Sequence, residues 1–159
     1  MSDFSESYVG ELRKVLGNRR LIIPAIRAII QDKDGQVLFI KRRDNGTWAF
    51  PAGSVEIDES VYGCLVREVK EETGLTVISA TPFAIYSEPR FTLTDDFGNE
   101  YQYVVVAFRV DEWAENLITT TDETLDARFC SAADIPELMS HNKETLEDFR
   151  KFDGRVILK

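Results

Sequence analysis

Residues 67–74 read REVKEETG and place Glu68, Glu71 and Glu72 at relative positions 0, 3 and 4, where side chains on a helix meet. Like charges at those spacings weaken a helix by about 0.2 to 0.5 kcal/mol per pair, so the cluster calls for something to offset it. A solvated acidic face is the plain reading of such a run. The neighbouring residues argue otherwise. Turned by about 100° per residue, Val61, Leu65 and Val69 form an apolar stripe with Cys64 and Tyr62 on its shoulders. Glu68 and Glu72 fall inside that arc, Lys70, Val66 and Gly63 lie opposite, and Arg67 and Glu71 sit on the flank. A buried ionised carboxylate is unfavourable by several kcal/mol unless it is paired or binds a metal. Arg67 can reach Glu71 one turn on, but it cannot serve all three. An all-oxygen donor set suits a hard divalent ion such as Mg²⁺ or Mn²⁺. Zinc fits poorly, because the chain has one histidine, His141, and two scattered cysteines, Cys64 and Cys130. His141, in the polar stretch 140–143, is expected in an exposed loop.

These carboxylates need a helix to hold them. It is expected from about Ser60 to Thr73, entered through Asp58 or Ser60 as the capping residue and closed by Gly74 in a left-handed conformation. Gly63, inside it, suggests a close neighbour. A weak helical pattern over residues 3–16 spaces Phe4, Tyr8, Leu12 and Leu16 four apart, suggesting a helix packed on the domain or on a partner subunit. LIIPAIRAII and QVLFIKR read as a hairpin joined by the turn Asp32–Gly35. Asp44–Gly46 turns the chain into the short strand TWAF, and Pro51–Gly53 breaks it into a loop. Further strands are read in TVISATPFAIYSE, RFTL, EYQYVVVAFRV, Asp126 to Cys130 and RVILK, with a helix around Lys143 to Phe152. Strands dominate, in an order that suits an α+β arrangement with helices on the faces of a mixed sheet.

At 159 residues the chain has the size of one domain, and 43% hydrophobic with 30% charged residues is a globular balance. No basic start with an apolar run and no stretch of membrane-spanning length is visible, so a cytoplasmic protein is expected, with no membrane partner and reduced cysteines. A net charge of −9 argues against nucleic acid as a partner and requires local positive charge for any phosphate-bearing substrate.

From Gly53, the segment GSVEIDESVYGCLVREVKEETGL has a glutamate, Glu59, after five residues, then Arg67-Glu68 after seven more, Val69, Glu71-Glu72, Gly74 and Leu75. This resembles the signature box of the Nudix hydrolases, with every required position filled. The resemblance implies a Nudix-type α/β/α sandwich with a mixed central sheet over residues 18–159, and the weak helical pattern ahead of it is read as an N-terminal helical extension over residues 1–17. It implies metal-dependent hydrolysis of a nucleoside diphosphate linked to another group X. Carried over position by position, Glu68, Glu71 and Glu72 would be metal ligands, with the Gly53 carbonyl as a further oxygen. Arg67 would hold the glutamates and Glu59 would brace the loop. A catalytic base is expected at Glu71 or on a downstream loop, with Glu123 favoured and Asp122 second. Pro51-Ala52-Gly53 departs from the Pro-Gly-Gly often found at this entry, and a methyl at position 52 limits positive φ there.

Substrate contacts are expected from Arg42, Arg43 and Arg90, and base stacking from Tyr86, Phe91, Phe97 or Tyr101, though strand aromatics more often fill a core. The particular nucleoside diphosphate derivative is not specified by any of these. Two other readings stand beside the hydrolase. One is a nucleotide-sensing module on the same fold, which would be expected to lose box glutamates. The other is an isoprenyl diphosphate isomerase, which needs a catalytic cysteine that neither Cys64 nor Cys130 convincingly supplies. Family resemblance also suggests a homodimer, through the Phe4–Leu16 stripe.

Overall fold

The computed structural model describes residues 4–159. The expected helix start at Asp3 and the side chain of Phe4 lie outside the described residues. Strand β1 (Leu21–Ile30) is apolar apart from Arg27, and its second half is buried on both faces. Ala25 and Ile29 enter one core, while Ile26, Ala28 and Ile30 enter the other. Such a strand belongs in a sheet interior. It lies antiparallel to β4 (Ala52–Ser54) on one side and parallel to β7 (Glu100–Ala114) on the other. Beyond β7 come β5 (Thr76–Tyr86) and then β9 (Ile157–Leu158), with β6 (Thr92–Thr94) added to β7. A second sheet has β2 (Val37–Arg42) between β3 (Trp48–Ala49) and β8 (Thr124–Cys130), all antiparallel. Alternate residues of β2 supply both cores, Val37 and Phe39 to one, Leu38 and Ile40 to the other.

The expected hairpin is therefore corrected. β1 and β2 share only the bridge Gln31–Val37 across the Asp32–Gly35 turn, then part into different sheets. Both edges of β1 are already taken by β4 and β7, so β2 has to find other neighbours.

Helix α2 (Val61–Thr73) covers one core with Cys64, Leu65 and Val69, and α3 (Ser140–Lys151) covers the other with Leu146 and Phe149. The α/β/α sandwich with a mixed central sheet is thus present, extended by the smaller sheet. Val61, expected in the apolar stripe of α2, is 36% exposed. α3 begins three residues earlier than expected, which puts His141 in its first turn, half-buried, instead of in an exposed loop.

Helix α1 (Tyr8–Leu16) starts at Ser7, whose hydroxyl accepts the Gly10 N–H at 3.1 Å. It packs Val9 and Leu12 against Leu21, Ile23, Tyr101 and Tyr103 of its own domain, leaving Val15 and Leu16 exposed. Its buried side is thus centred on Val9, one position away from the expected Tyr8, Leu12 and Leu16 row. Among the described residues no helix is long and apolar enough to cross a membrane.

Candidate active site

The entry to α2 is capped by Ser60, whose Oγ accepts the Gly63 N–H at 2.9 Å, while Asp58 ahead of it is left-handed at φ 62°. A side chain at Gly63 would press on that hydroxyl, since a Cβ there would lie 3.1 Å from Ser60 Oγ. Gly74 closes the helix at φ 74° and donates its N–H to the Lys70 carbonyl. This rotation of α2 sinks Glu68 and Glu72 to 7% and 4% exposure. Glu72 Oε2 accepts the Ala52 N–H at 2.9 Å. From the loop ahead of β8, Glu123 joins them, and one carboxylate oxygen from each of Glu68, Glu72 and Glu123 lies within 4.8 Å of the others. Glu71 stays outside that group, its side chain 48% exposed.

Gly53 faces this cluster. A Cβ built on it would fall 1.9 Å from Glu68 Oε1, so the carboxylate occupies the space that any larger residue would need. Its φ is not in the left-handed region, so glycine is required here for room. Ala52 is likewise accommodated without positive φ, paired with Arg27 in an extended strand.

Arg67 spreads its guanidinium over the flank. Nε and Nη2 bind both oxygens of Glu59 at 2.7 and 2.9 Å, and Nη1 binds Glu68 at 2.7 Å and Glu71 at 3.1 Å. Nη2 also reaches the Ser54 carbonyl at 3.2 Å. Glu59 is held below its ordinary range by these Arg67 bonds. Glu68 goes the other way: burial pushes its carboxyl up to about 7 in spite of Arg67. Burial, and then the charge of Glu68, raises Glu72 well above its ordinary value. Carboxylates gathered so closely favour their charged forms only beside a cation. The donors are all oxygen and stand next to a glycine that leaves them room, which fits Mg²⁺ or Mn²⁺. The two thiols fit no such chemistry. Cys64 and Cys130 are buried, and burial pushes both up, away from the thiolate form.

The expected substrate arginines are placed differently from one another. Arg42 forks onto Asp44 at 3.0 and 2.6 Å, and the Asp44 bond first, with Glu72 further off, holds it as a cation. Arg43 steadies the Glu123 loop, donating to the carbonyls of Thr121 at 2.9 Å and Thr124 at 3.3 Å, while its N–H binds the Glu123 carbonyl at 2.9 Å. Arg90 is ion-paired with Glu88 and with Glu144 of α3. Asp122 is exposed. Tyr86 is buried with its hydroxyl on Asp148, Phe91 packs edge-on to it, Tyr101 stacks on Tyr103, and Phe97 is 84% exposed.

Sequence reasoning missed Arg27. It is the one charged residue in LIIPAIRAII, and its Cα pairs with Ala52, whose N–H holds Glu72. Its guanidinium donates to Thr145 Oγ1 at 2.5 Å and to the His141 carbonyl at 3.5 Å. Burial lowers Arg27 to about 10 and, together with Arg27 and Arg42 nearby, lowers His141 to about 4. A lone charge inside an otherwise apolar strand was the available signal.

An α/β/α sandwich that drives helix carboxylates together beside a space-making glycine defines a class, and comparison with known proteins gives the class its family. The NUDIX domain family model matches residues 21–149, and the chain belongs to that family. An ADP-ribose pyrophosphatase of Methanocaldococcus jannaschii is 30% identical over 131 residues, covering 80% of this chain and 73% of that protein. A MutT NUDIX hydrolase from Burkholderia pseudomallei superposes with TM-score 0.66 at 23% identity, over 80% of this chain and 98% of the other. The NUDIX domain of Shewanella oneidensis NrtR, solved with ADP ribose, also reaches TM-score 0.66, at 17% identity over 91% and 97% of the two chains. At those identities the two structures speak for the fold alone. With pyrophosphatase relatives in sequence and all box glutamates in place, the chain is a Nudix pyrophosphohydrolase.

Proposed function

We propose that the chain is a metal-dependent hydrolase that splits the pyrophosphate bond of a nucleoside diphosphate derivative, releasing a nucleoside monophosphate and phosphorylated X. The observation that carries this reading is the convergence of Glu68, Glu72 and Glu123 on one point, within 4.8 Å. Mg²⁺ or Mn²⁺ is the cofactor of this reading, and Glu68 and Glu72, with Glu71 and the Gly53 carbonyl as further oxygens, would hold it. When bound, such an ion withdraws charge from the diphosphate and orients it.

The chain's own residues supply the rest. Arg67 keeps the Glu68 carboxylate in one pose, and Ala52 N–H does the same for Glu72. Glu123 is the least buried of the three and sits on a loop steadied by Arg43, and it takes the proton of the attacking water. Asp122 is the second candidate. One bridging P–O bond breaks, one P–O bond to the water oxygen forms, and the bridging oxygen leaves with the other phosphate. Arg42, held as a cation by Asp44, provides positive charge for the phosphates. The acidic character of the whole molecule favours small anions over long RNA. ADP-ribose heads the substrate panel because the archaeal relative named for it is 30% identical.

The test is an assay of ADP-ribose, dinucleoside polyphosphates, oxidised nucleotides and capped RNA with Mg²⁺, following release of nucleoside monophosphate. Turnover of at least one member is expected, abolished by excess chelator. Turnover that persists undiminished in chelator would overturn the metal mechanism, and silence across the panel would overturn the substrate class.

A further inference from the structure

Helix α1 lies outside the signature box, yet it is tied to the box by an unbroken series of hydrogen bonds. The helix is clamped to the domain by Arg13, which binds the Glu100 carbonyl at 2.8 Å and the Tyr101 hydroxyl at 3.3 Å, with its guanidinium 4.3 Å from the Tyr101 ring centre. At the other end of α1, the N–H of Tyr8 donates to Glu56 Oε2 at 2.9 Å. The Glu56 N–H donates in turn to Glu59 Oε2 at 3.1 Å. Glu59 receives both arms of Arg67, and Arg67 holds Glu68 at 2.7 Å.

Two features make this path physically effective. Tyr8 is the first residue of α1, so its N–H has no partner within the helix and is available to an outside acceptor. A carboxylate at that end is also favoured by the helix dipole. The loop it grips contains Asp58 at φ 62°, a conformation that a non-glycine residue keeps when its surroundings hold it. Without a fixed Glu56 the loop has one tether fewer, and the pose of Glu59 under Arg67 loosens.

We propose that α1 is a positioning element of the carboxylate site, with Glu56 as the positioning residue: the Tyr8 amide fixes Glu56, which sets Glu59, Arg67 and so Glu68. This rests on reading the carboxylates as a divalent-cation site.

The test uses the full chain and Mn²⁺ alone, with free ion measured by electron paramagnetic resonance well below the melting temperature. Tyr8→Pro deletes the N–H while suiting the first helical position. Ser7 already holds φ −70° and ψ 158°, the extended conformation that a residue before proline adopts. Tyr8→Ala removes the same side chain and keeps the amide. Outer partners of metal ligands typically carry 10- to 100-fold in affinity, and for a bond further out we expect Tyr8→Pro to bind Mn²⁺ about 3- to 10-fold more weakly than Tyr8→Ala. Equal affinity in the two variants overturns the proposal. Glu56→Ala should weaken binding similarly, and Glu56→Gln, which retains an acceptor oxygen, should restore most of it. A merely structural role for α1 would lower the melting temperature and leave these affinities alone. If Tyr8→Pro does not fold, the Glu56 variants decide: wild-type affinity in Glu56→Ala overturns the proposal. A wild-type protein that takes up no Mn²⁺ overturns the cation-site reading itself, and this inference with it.

Discussion

Two helices of this molecule carry dense acidic charge, and they treat it in opposite ways. On α3, Glu144 meets Arg90 and Lys159, while Asp148 meets Lys159 and the Tyr86 hydroxyl. The Arg90 bonds, with Lys159, hold Glu144 down at about 2. On α2, Arg67 is shared among Glu59, Glu68 and Glu71, and burial pushes Glu68 up to about 7. Both regions are rich in carboxylates, and only one has more negative charge than its neighbours offset. A balanced network contributes to the fold. A surplus, kept in place by a cap, a glycine and a strand amide, carries the cation site proposed above.

The largest expected effect separates the two regions directly. Glu72→Gln should lower kcat by about 1,000-fold, the scale of the several kcal/mol that a metal centre contributes to charge stabilisation. Its melting temperature without divalent ions should hold or rise, because a buried charge is gone. Glu144→Gln should do the reverse, leaving kcat within about twofold and destabilising by roughly 1 kcal/mol, the upper range for a partly exposed ion pair. Similar kinetic losses in both variants would erase the contrast.

An intermediate effect concerns pH. Folding raises Glu68 from 4.5 to about 7, so between those values the folded protein holds a proton that the unfolded chain has released. Stability without divalent ions therefore falls as pH rises through that window, by about 3 kcal/mol at most from this group. His141 acts oppositely: its value is lowered from 6.5 to about 4, so its contribution is lost as pH falls through that range. That contribution is common to samples with and without Mg²⁺ and cancels in their difference. The gain in melting temperature on adding Mg²⁺ should then grow from about pH 5 to about pH 8. A gain independent of pH would mean that the α2 carboxylates are not the binding groups.

The smallest signal is spectroscopic. His141 is the sole histidine, so its ring resonances need no assignment by mutation. They should titrate near 4, and a midpoint at the ordinary 6.5 would place the ring in solvent and remove the buried Arg27 neighbourhood from this picture.

Much of the carboxylate centre was legible in the sequence because its determinants are local. Ser60, Gly74 and the spacing of Glu68 and Glu72 fix one helix and its rotation, and Gly53 lies only a few residues ahead. Glu123 was readable as a candidate, but its arrival beside Glu72 depends on β8 pairing with β2, a long-range event. The same limit misled the hairpin reading: Asp32–Gly35 is a genuine turn, and the partners of β1 come from far along the chain. His141 was misplaced for a different reason. α3 begins after Met139, which makes no side-chain capping bond, so its start left no polar signature. Arg27 had no role assigned because its partners, Thr145 and the His141 carbonyl of α3, lie far along the chain.

Position 53 has an implication for reading other chains built on this plan. Its backbone conformation is open to ordinary residues, and only the Glu68 side chain, its carboxylate oxygen nearest, bars a methyl group from that spot. A copy that had given up turnover, and Glu68 with it, would be free to carry alanine or serine there. The missing side chain at this position thus records the room that a buried carboxylate takes up.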